Sequence, residues 1–141
     1  MMTDAPFHAR ALSELRVLDL SQRHGYASKL FSDLGADVTL IEPPEGILAR
    51  RQAPFLDDRP GEVRSLHFQY LSAGKKSAVI DFANADHMAL FRHLLADVDI
   101  VIDDQQQSVW QSRGLAFADV SVINPDLVWC SVTMSGQNSS G

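Results

Sequence analysis

The sequence predicts an α/β domain, a Rossmann-like open and mostly parallel sheet with helices on both faces. Two observations carry that prediction. Short apolar runs alternate along the chain with segments whose apolar residues recur at helical spacing. Strands alternating with helices in this way belong to parallel sheets covered on both faces. Two of the units also echo each other. LGADVTLIE at 34–42 and LADVDIVID at 95–103 each run from a helix end through Ala-Asp-Val into a buried strand with an acidic terminus. Any β-α-β unit reads this way, so the echo fits a shared architecture and an ancestral duplication equally well.

Residues 1–13 form a polar lead-in, and the domain occupies 14–141. Arg16 to Leu20 (RVLDL) is the first buried strand, ending in a turn-like Ser21–Gly25. Tyr26 to Leu34 places Ala27, Leu30, Phe31 and Leu34 on one helical face, and Gly35 supplies the stop. Val38 to Ile41 is the second strand. Glu42-Pro43-Pro44-Glu45-Gly46 ends it, because proline cannot donate to a ladder. Ile47 to Ser65 shows no clean period, is charged and contains Pro54, Pro60 and Gly61, so it reads as a long surface loop. Leu66 to Leu71 is expected as a short strand or turn, and Ser77 to Phe82 as the third long strand. Asn84 caps a helix from Ala85 to Ala96, with Met88, Phe91, Leu94 and Leu95 on its buried side. Asp99 to Ile102 is the next strand. Val109–Arg113 and Phe117–Ile123 are short helices, and Pro125 separates the second of them from a last strand, Leu127 to Val132.

At 141 residues the chain fits one domain of ordinary size, and 45% hydrophobic with 21% charged residues is a globular composition. A net charge of −6 argues against non-specific nucleic-acid binding and does nothing to attract a polyanion, so any phosphate site must be local. A single cysteine, Cys130, excludes an internal disulfide framework and suits a reducing cytosol. The start lacks the apolar core of a signal peptide, and no run approaches the roughly 20 apolar residues of a membrane helix. The expectation is a cytoplasmic protein with no nucleic-acid or membrane partner.

In open α/β sheets ligands bind at the carboxyl ends of the strands. The loops that matter are then Ser21–Gly25, Glu42–Gly46, Phe82–Asn84, Asp103–Ser108 and Thr133–Gln137. The first of these holds one glycine and is not a dinucleotide fingerprint; exposed amides at the following helix start offer an anion site, but a plain polar turn is favoured. His24 beside Arg23 has no nucleophile or orienting carboxylate fixed near it, so an exposed turn histidine is favoured over a general base or an anion clamp. The remaining histidines show no metal-ligand spacing. Lys75-Lys76 is expected as a solvated turn rather than a phosphate contact, because it lies at the start of its strand. Asp103 and Asp104 offer oxygen ligands for a hard cation only if the loop folds two diverging carboxylates together. Cys130 alternates within an apolar strand and is expected to be an inert core thiol.

RVLDLSQ, DLGADVTLIEPPEG with Arg50 downstream, AGKKSAVIDF, LADVDIVID and INPDLVWCSVTMSGQ follow one another in an order and spacing that resemble the N-terminal half of the family III CoA-transferases. That family includes carnitine and formyl-CoA transferases and acyl-CoA racemases. The resemblance runs from about Leu12 to Gln137. It implies a Rossmann-like sheet, subunits interlocked like linked rings, and CoA transfer between an acyl-CoA and a carboxylic acid through a thioester on an aspartate. By the resemblance, the residues at CoA-contacting positions are Gln22, Arg50, Ile80, Phe82, Ala83, Asp104, Gln105, Gly136 and Gln137. No catalytic residue is assigned, because the resemblance places the family's aspartate past Gly141, and no metal residue is assigned, because the histidines lack ligand spacing. The expected ligand is CoA or an acyl-CoA, with no covalent cofactor. The expected partners are a second copy of the chain or a catalytic half.

The departures fall at the ligand positions. The turn after the first strand has only His24-Gly25 where the family has Ala-Gly-Pro and is two residues shorter. A lysine is replaced by Ala83. Glu-Asn-Phe-x-Pro-Gly becomes Asp103-Asp104-Gln105-Gln106-Gln107-Ser108, and an arginine becomes Ser112 with Arg113 one place on. A framework kept and a site lost leads to the expectation of a domain that binds CoA weakly and is inactive alone. A structural half that assembles with a catalytic domain and binds no CoA is the alternative.

Overall fold

Arg16–Asp19 (β1), Asp37–Glu42 (β2), Lys76–Val79 (β3), Ile100–Asp103 (β4) and Val128–Ser131 (β5) form one sheet in the order β3-β2-β1-β4-β5. Every neighbouring pair is parallel. The computed structural model describes residues 10–23, 25–134 and 136. From β1 the chain builds outward through β2 to β3. Helix α3 (Ala85–Ala96) then carries it back across to β4 on the other side of β1. The echoing strands β2 and β4 therefore flank β1 symmetrically, and the crevice between the carboxyl ends of β1 and β4 is the topological switch point.

Strand alternation sends side chains to two cores. Leu18, Ile41 and Val101 lie on one face with Phe91 and Leu95 of α3 and Val120 of α5 (Phe117–Ile123). Val17, Val38 and Ile102 lie on the other, against Ala27 and Phe31 of α1 (Tyr26–Asp33). Leu12, within the segment read as a lead-in, packs with this second cluster. Leu40 meets Phe68 of α2 (Leu66–Ser72). Helices thus cover both faces, as the sequence predicts, and Phe117–Ile123 matches residue for residue. The caps match as well. The Asn84 side chain accepts from the amides of Asp86 and His87, and Gly35, at φ +103°, ends α1 in a conformation that other residues rarely adopt.

Two local expectations are corrected, and one is refined. Leu66–Ser72 is a helix and not a short strand or turn; Ser65 caps it, its hydroxyl accepting from the Phe68 amide at 3.1 Å. The loop before it holds two 3-10 turns, at Leu48–Arg51 and Leu56–Asp58. The apolar side of α1 is partly misassigned, since Ala27 and Phe31 pack inward as expected but Leu30 and Leu34 do not. Leu30 and Leu34 are 46% and 52% exposed, while Ser28, Lys29 and Ser32 are buried. Ser28 faces a buried carboxylate and ammonium, as described below, while Lys29 pairs with Asp33 one turn on and Ser32 approaches the Ala73 carbonyl.

Cys130 is exposed and is not a core thiol. The cause is the limited reach of the helical layer. Among the described residues no helix covers the outer strand β5 on the α1 side, where Val128, Cys130 and Val132 alternate outward. Val128 is 58% and Val132 43% exposed. Among the described residues, no helix is long and apolar enough to cross a membrane.

Candidate functional site

At the switch point, the turn after β1 and the turn after β4 are joined by one side chain. The Asp104 carboxylate accepts from the Gln22 amide through Oδ1 and from the Arg23 amide through Oδ2, each at 2.8 Å. Two adjacent amides converging on two oxygens are an anion-binding arrangement, here occupied by a carboxylate of the chain itself. Gln105 leans across the same crevice, its side-chain amide 3.4 Å from the Leu20 carbonyl oxygen. The Gln22 carbonyl in turn accepts from the Ala49 amide at 3.0 Å, which ties this turn to the segment that carries Arg50. The structure therefore brings Gln22, Asp104 and Gln105 together. Asp103 and Asp104 diverge. Asp103 turns into the core, where Gln105, Trp110, Trp129 and Ser131 all donate to it.

Behind the β1 turn lies a buried ion pair. Lys75 Nζ is 2.8 Å from Asp19 Oδ2, with side chains 2% and 0% exposed. The ammonium also donates to the Gly25 carbonyl at 3.0 Å and to Ser28 Oγ at 2.8 Å. Ser28 donates to Asp19 as well, and the Ser21 amide donates to Asp19 Oδ1 at 3.0 Å. Lys75 is thus not the solvated turn residue that its place before a strand predicts. Sequence reasoning missed the pair, although one signal was present: a carboxylate between Leu18 and Leu20 in a buried strand needs a partner.

Arg50 stands at the end of β2. It donates from Nε to Glu42 Oε2 at 2.6 Å and from Nη2 to Oε1 at 2.7 Å, a bidentate pair, and lies 3.9 Å from the centre of the Phe68 ring. Burial alone pushes the Glu42 carboxyl up. The Arg50 guanidinium and the Ser77 hydroxyl more than offset this and hold it below the usual carboxylate range. The bond to Glu42 correspondingly raises the Arg50 pKa. An open cleft of about 530 Å³ adjoins the pair, lined by Arg51, Glu45, Glu62, Phe55, Val63 and Val79 among others. With Arg50 neutralised by Glu42, the remaining charged lining is Arg51 against Glu45 and Glu62.

The positions after β3 separate by role. Ile80 is a buried core residue. Phe82 sits edge-on to Phe91 and Trp110, at 5.1 and 5.7 Å between ring centres. Arg113 of the α4 (Gln107–Ser112) C-cap stacks on Phe82 at 4.4 Å and on Trp110 at 5.0 Å. Burial lowers its pKa. Ala83 is exposed, its amide donating to Asp81 Oδ1 at 2.9 Å. Gly136 is exposed, and Gln137 and His24 lie outside the described residues.

A family model, CoA-transferase family III, matches residues 12–141. The chain belongs to this family. It is 33% identical over 141 residues to a succinate–glutarate CoA-transferase of Agrobacterium fabrum, covering 96% of this chain and 35% of that protein. It is 32% identical over 133 residues to a succinyl-CoA:mesaconate CoA-transferase of Haloarcula hispanica, covering 93% and 34%. A crystal structure of a CAIB/BAIF family protein from Brucella suis superposes with a TM-score of 0.82 at 29% identity, covering 93% of this chain and 35% of that one. The chain spans about a third of the length of the curated relatives it matches.

Within this family III domain, the side chains with the most elaborate partnerships are Asp19, Glu42, Lys75, Asp103 and Asp104. Of these, only Asp104 is a CoA-contacting position by the family resemblance, while Asp103 and Lys75 are weighed from the sequence as a cation ligand and a phosphate contact and set aside. The others are charges inside, at the ends of or just before strands, and their partners are partly local, as with Arg50 for Glu42 and Gln105 for Asp103, and partly distant, as with Lys75 for Asp19.

Proposed function

We propose that this chain is a CoA-transferase domain that meets a CoA thioester along the carboxyl edge of its sheet, binds it weakly, and does not complete the transfer by itself. The observation that carries this reading is the charge at that edge. Arg50 is committed to Glu42, Ala83 brings no cation, and a carboxylate, Asp104, sits on the amides of the β1 turn. Each charged phosphate contact is worth roughly 1.5–3 kcal/mol, so two missing contacts move a micromolar site to about millimolar. Titration calorimetry of the 141-residue chain with CoA is expected to show millimolar or weaker affinity. Ala83→Lys is expected to tighten it about tenfold, the value of one exposed charged contact. Low-micromolar affinity in the unmodified chain would overturn the reading.

A second reading, an assembly half, rests on the bare face of β5. Val128, Cys130 and Val132 are exposed beside Met134 on an outer strand. Apolar strand surface of this kind favours association. Sedimentation at tens of micromolar is expected to show self-association that weakens when Val128 and Val132 are both changed to threonine. A monomer in both proteins would count against an assembly role.

A further inference from the structure

We propose that Asp104 is an internal plug: its carboxylate occupies an oxyanion site made by the turn after β1 and closes the switch-point crevice to carboxylate-bearing ligands. The geometry is that of a bound ligand. One oxygen accepts from the Gln22 amide and the other from the Arg23 amide, both at 2.8 Å, so a planar two-oxygen group bridges two consecutive backbone donors. The group comes from the neighbouring strand's turn, 82 residues away in sequence from Gln22, and therefore spans the crevice and does not belong to the turn it fills. Gln105 reinforces the closure through its contact with the Leu20 carbonyl.

A second observation at the same turn points the same way. Ser21 immediately precedes the two amides and is 2% exposed, and its hydroxyl has no hydrogen-bond partner among the described residues. A buried hydroxyl left without a partner costs about 1–3 kcal/mol, which is unusual beside an otherwise satisfied turn. The turn thus holds a spare polar group next to two amides that already grip an anion. Asp104 also repels an incoming anion, and so acts as both competitor and barrier. The amide pair needs no CoA moiety to act, only a carboxylate of a small organic acid, so the inference goes beyond the weak-CoA reading and stands independently of it.

The test follows the backbone amides of Gln22 and Arg23 by NMR in the full chain while sodium acetate is added, with inorganic phosphate as a parallel arm at equal ionic strength. In the unmodified chain these two amides are expected to show no saturable shift. In Asp104→Ala they are expected to shift saturably with acetate, with a half-point at least about tenfold below any seen in the unmodified chain, the effect of exposing two charge-assisted bonds. Asp104→Asn keeps the side chain's shape and one acceptor oxygen and should give a weaker acetate response. A response to phosphate alone would overturn the assignment to carboxylates. No acetate response at Gln22 and Arg23 in Asp104→Ala would overturn the plug. If Asp104→Ala does not fold, Asp104→Asn decides, and an unresponsive Asp104→Asn overturns the proposal. Because CoA is absent from the titration, the result is separable from the outcome of the CoA calorimetry.

Discussion

Lys75→Ala is expected to destabilise the domain by about 3–5 kcal/mol, the cost of leaving a buried carboxylate without its partner. Asp19 is fully buried and its side chain cannot reach water. Lys75 is its only cation among the described ion pairs, and both side chains are almost completely covered. The ammonium also bonds the Gly25 carbonyl and Ser28, so its loss leaves several acceptors short of a donor at once. The neighbouring Lys76 supplies the control. It pairs with Asp37, but those side chains are 69% and 48% exposed, so Lys76→Ala should cost less than about 1 kcal/mol. Urea denaturation of the two variants, compared at unchanged slope, measures both numbers. A loss for Lys75→Ala no greater than that for Lys76→Ala would mean that the pair is solvated in solution. A double change of Asp19→Leu with Lys75→Met should recover much of the loss, because a buried pair replaced by apolar groups is often close to neutral.

That pair also marks the limit of what the sequence discloses. Strand and helix positions were legible because they depend on neighbours in the chain: the consecutive apolar run at Val38–Ile41, the Asn84 cap, the Gly35 stop. The α1 face was misread because helical spacing alone favours Leu30 and Leu34 as the inner residues. At Ser28 the deciding fact is a charge on β1 and an ammonium from the turn before β3, brought beneath the helix by the parallel sheet. Cys130 was misread for a related reason. Alternation in a strand tells which residues share a face but not whether a helix covers that face, and here coverage stops short of β5. At the site, the motif positions located the turns correctly, yet their chemistry depends on long-range partners. Arg50 reads as a phosphate contact until Glu42 is seen to hold both its nitrogens. Asp104 reads as a lost asparagine until its oxygens are found on the Gln22 and Arg23 amides.

Asp103→Ala is expected to cost about 3–4 kcal/mol and to loosen the crevice in the same step. The carboxylate is fully buried, and the Gln105 amide at 2.8 Å, Trp110 Nε1 at 3.1 Å, Ser131 Oγ at 2.7 Å and Trp129 Nε1 all donate to it. Alanine would strand these donors in a covered aromatic cluster where Trp110 and Trp129 stand 5.3 Å apart, and each unsatisfied donor costs about 1–3 kcal/mol. The total stays below a simple sum because water can enter a site opened by the missing carboxyl. Asp103→Asn preserves the volume but turns one acceptor into a donor that faces indole N–H groups, so it should recover less than half of the loss. The effect should also reach the ligand edge, because Asp103 fixes the turn from which Asp104 extends to Gln22 and Arg23. Denaturant unfolding followed by tryptophan fluorescence reads the stability change directly at Trp110 and Trp129. Amide hydrogen exchange reads the second effect, since Gln22 and Arg23 should exchange faster in Asp103→Ala than in a variant of equal instability such as Phe91→Ala, whose side chain fills the core beneath α3. Equal protection at those two amides in both variants would show that the β1 turn is held without help from Asp103.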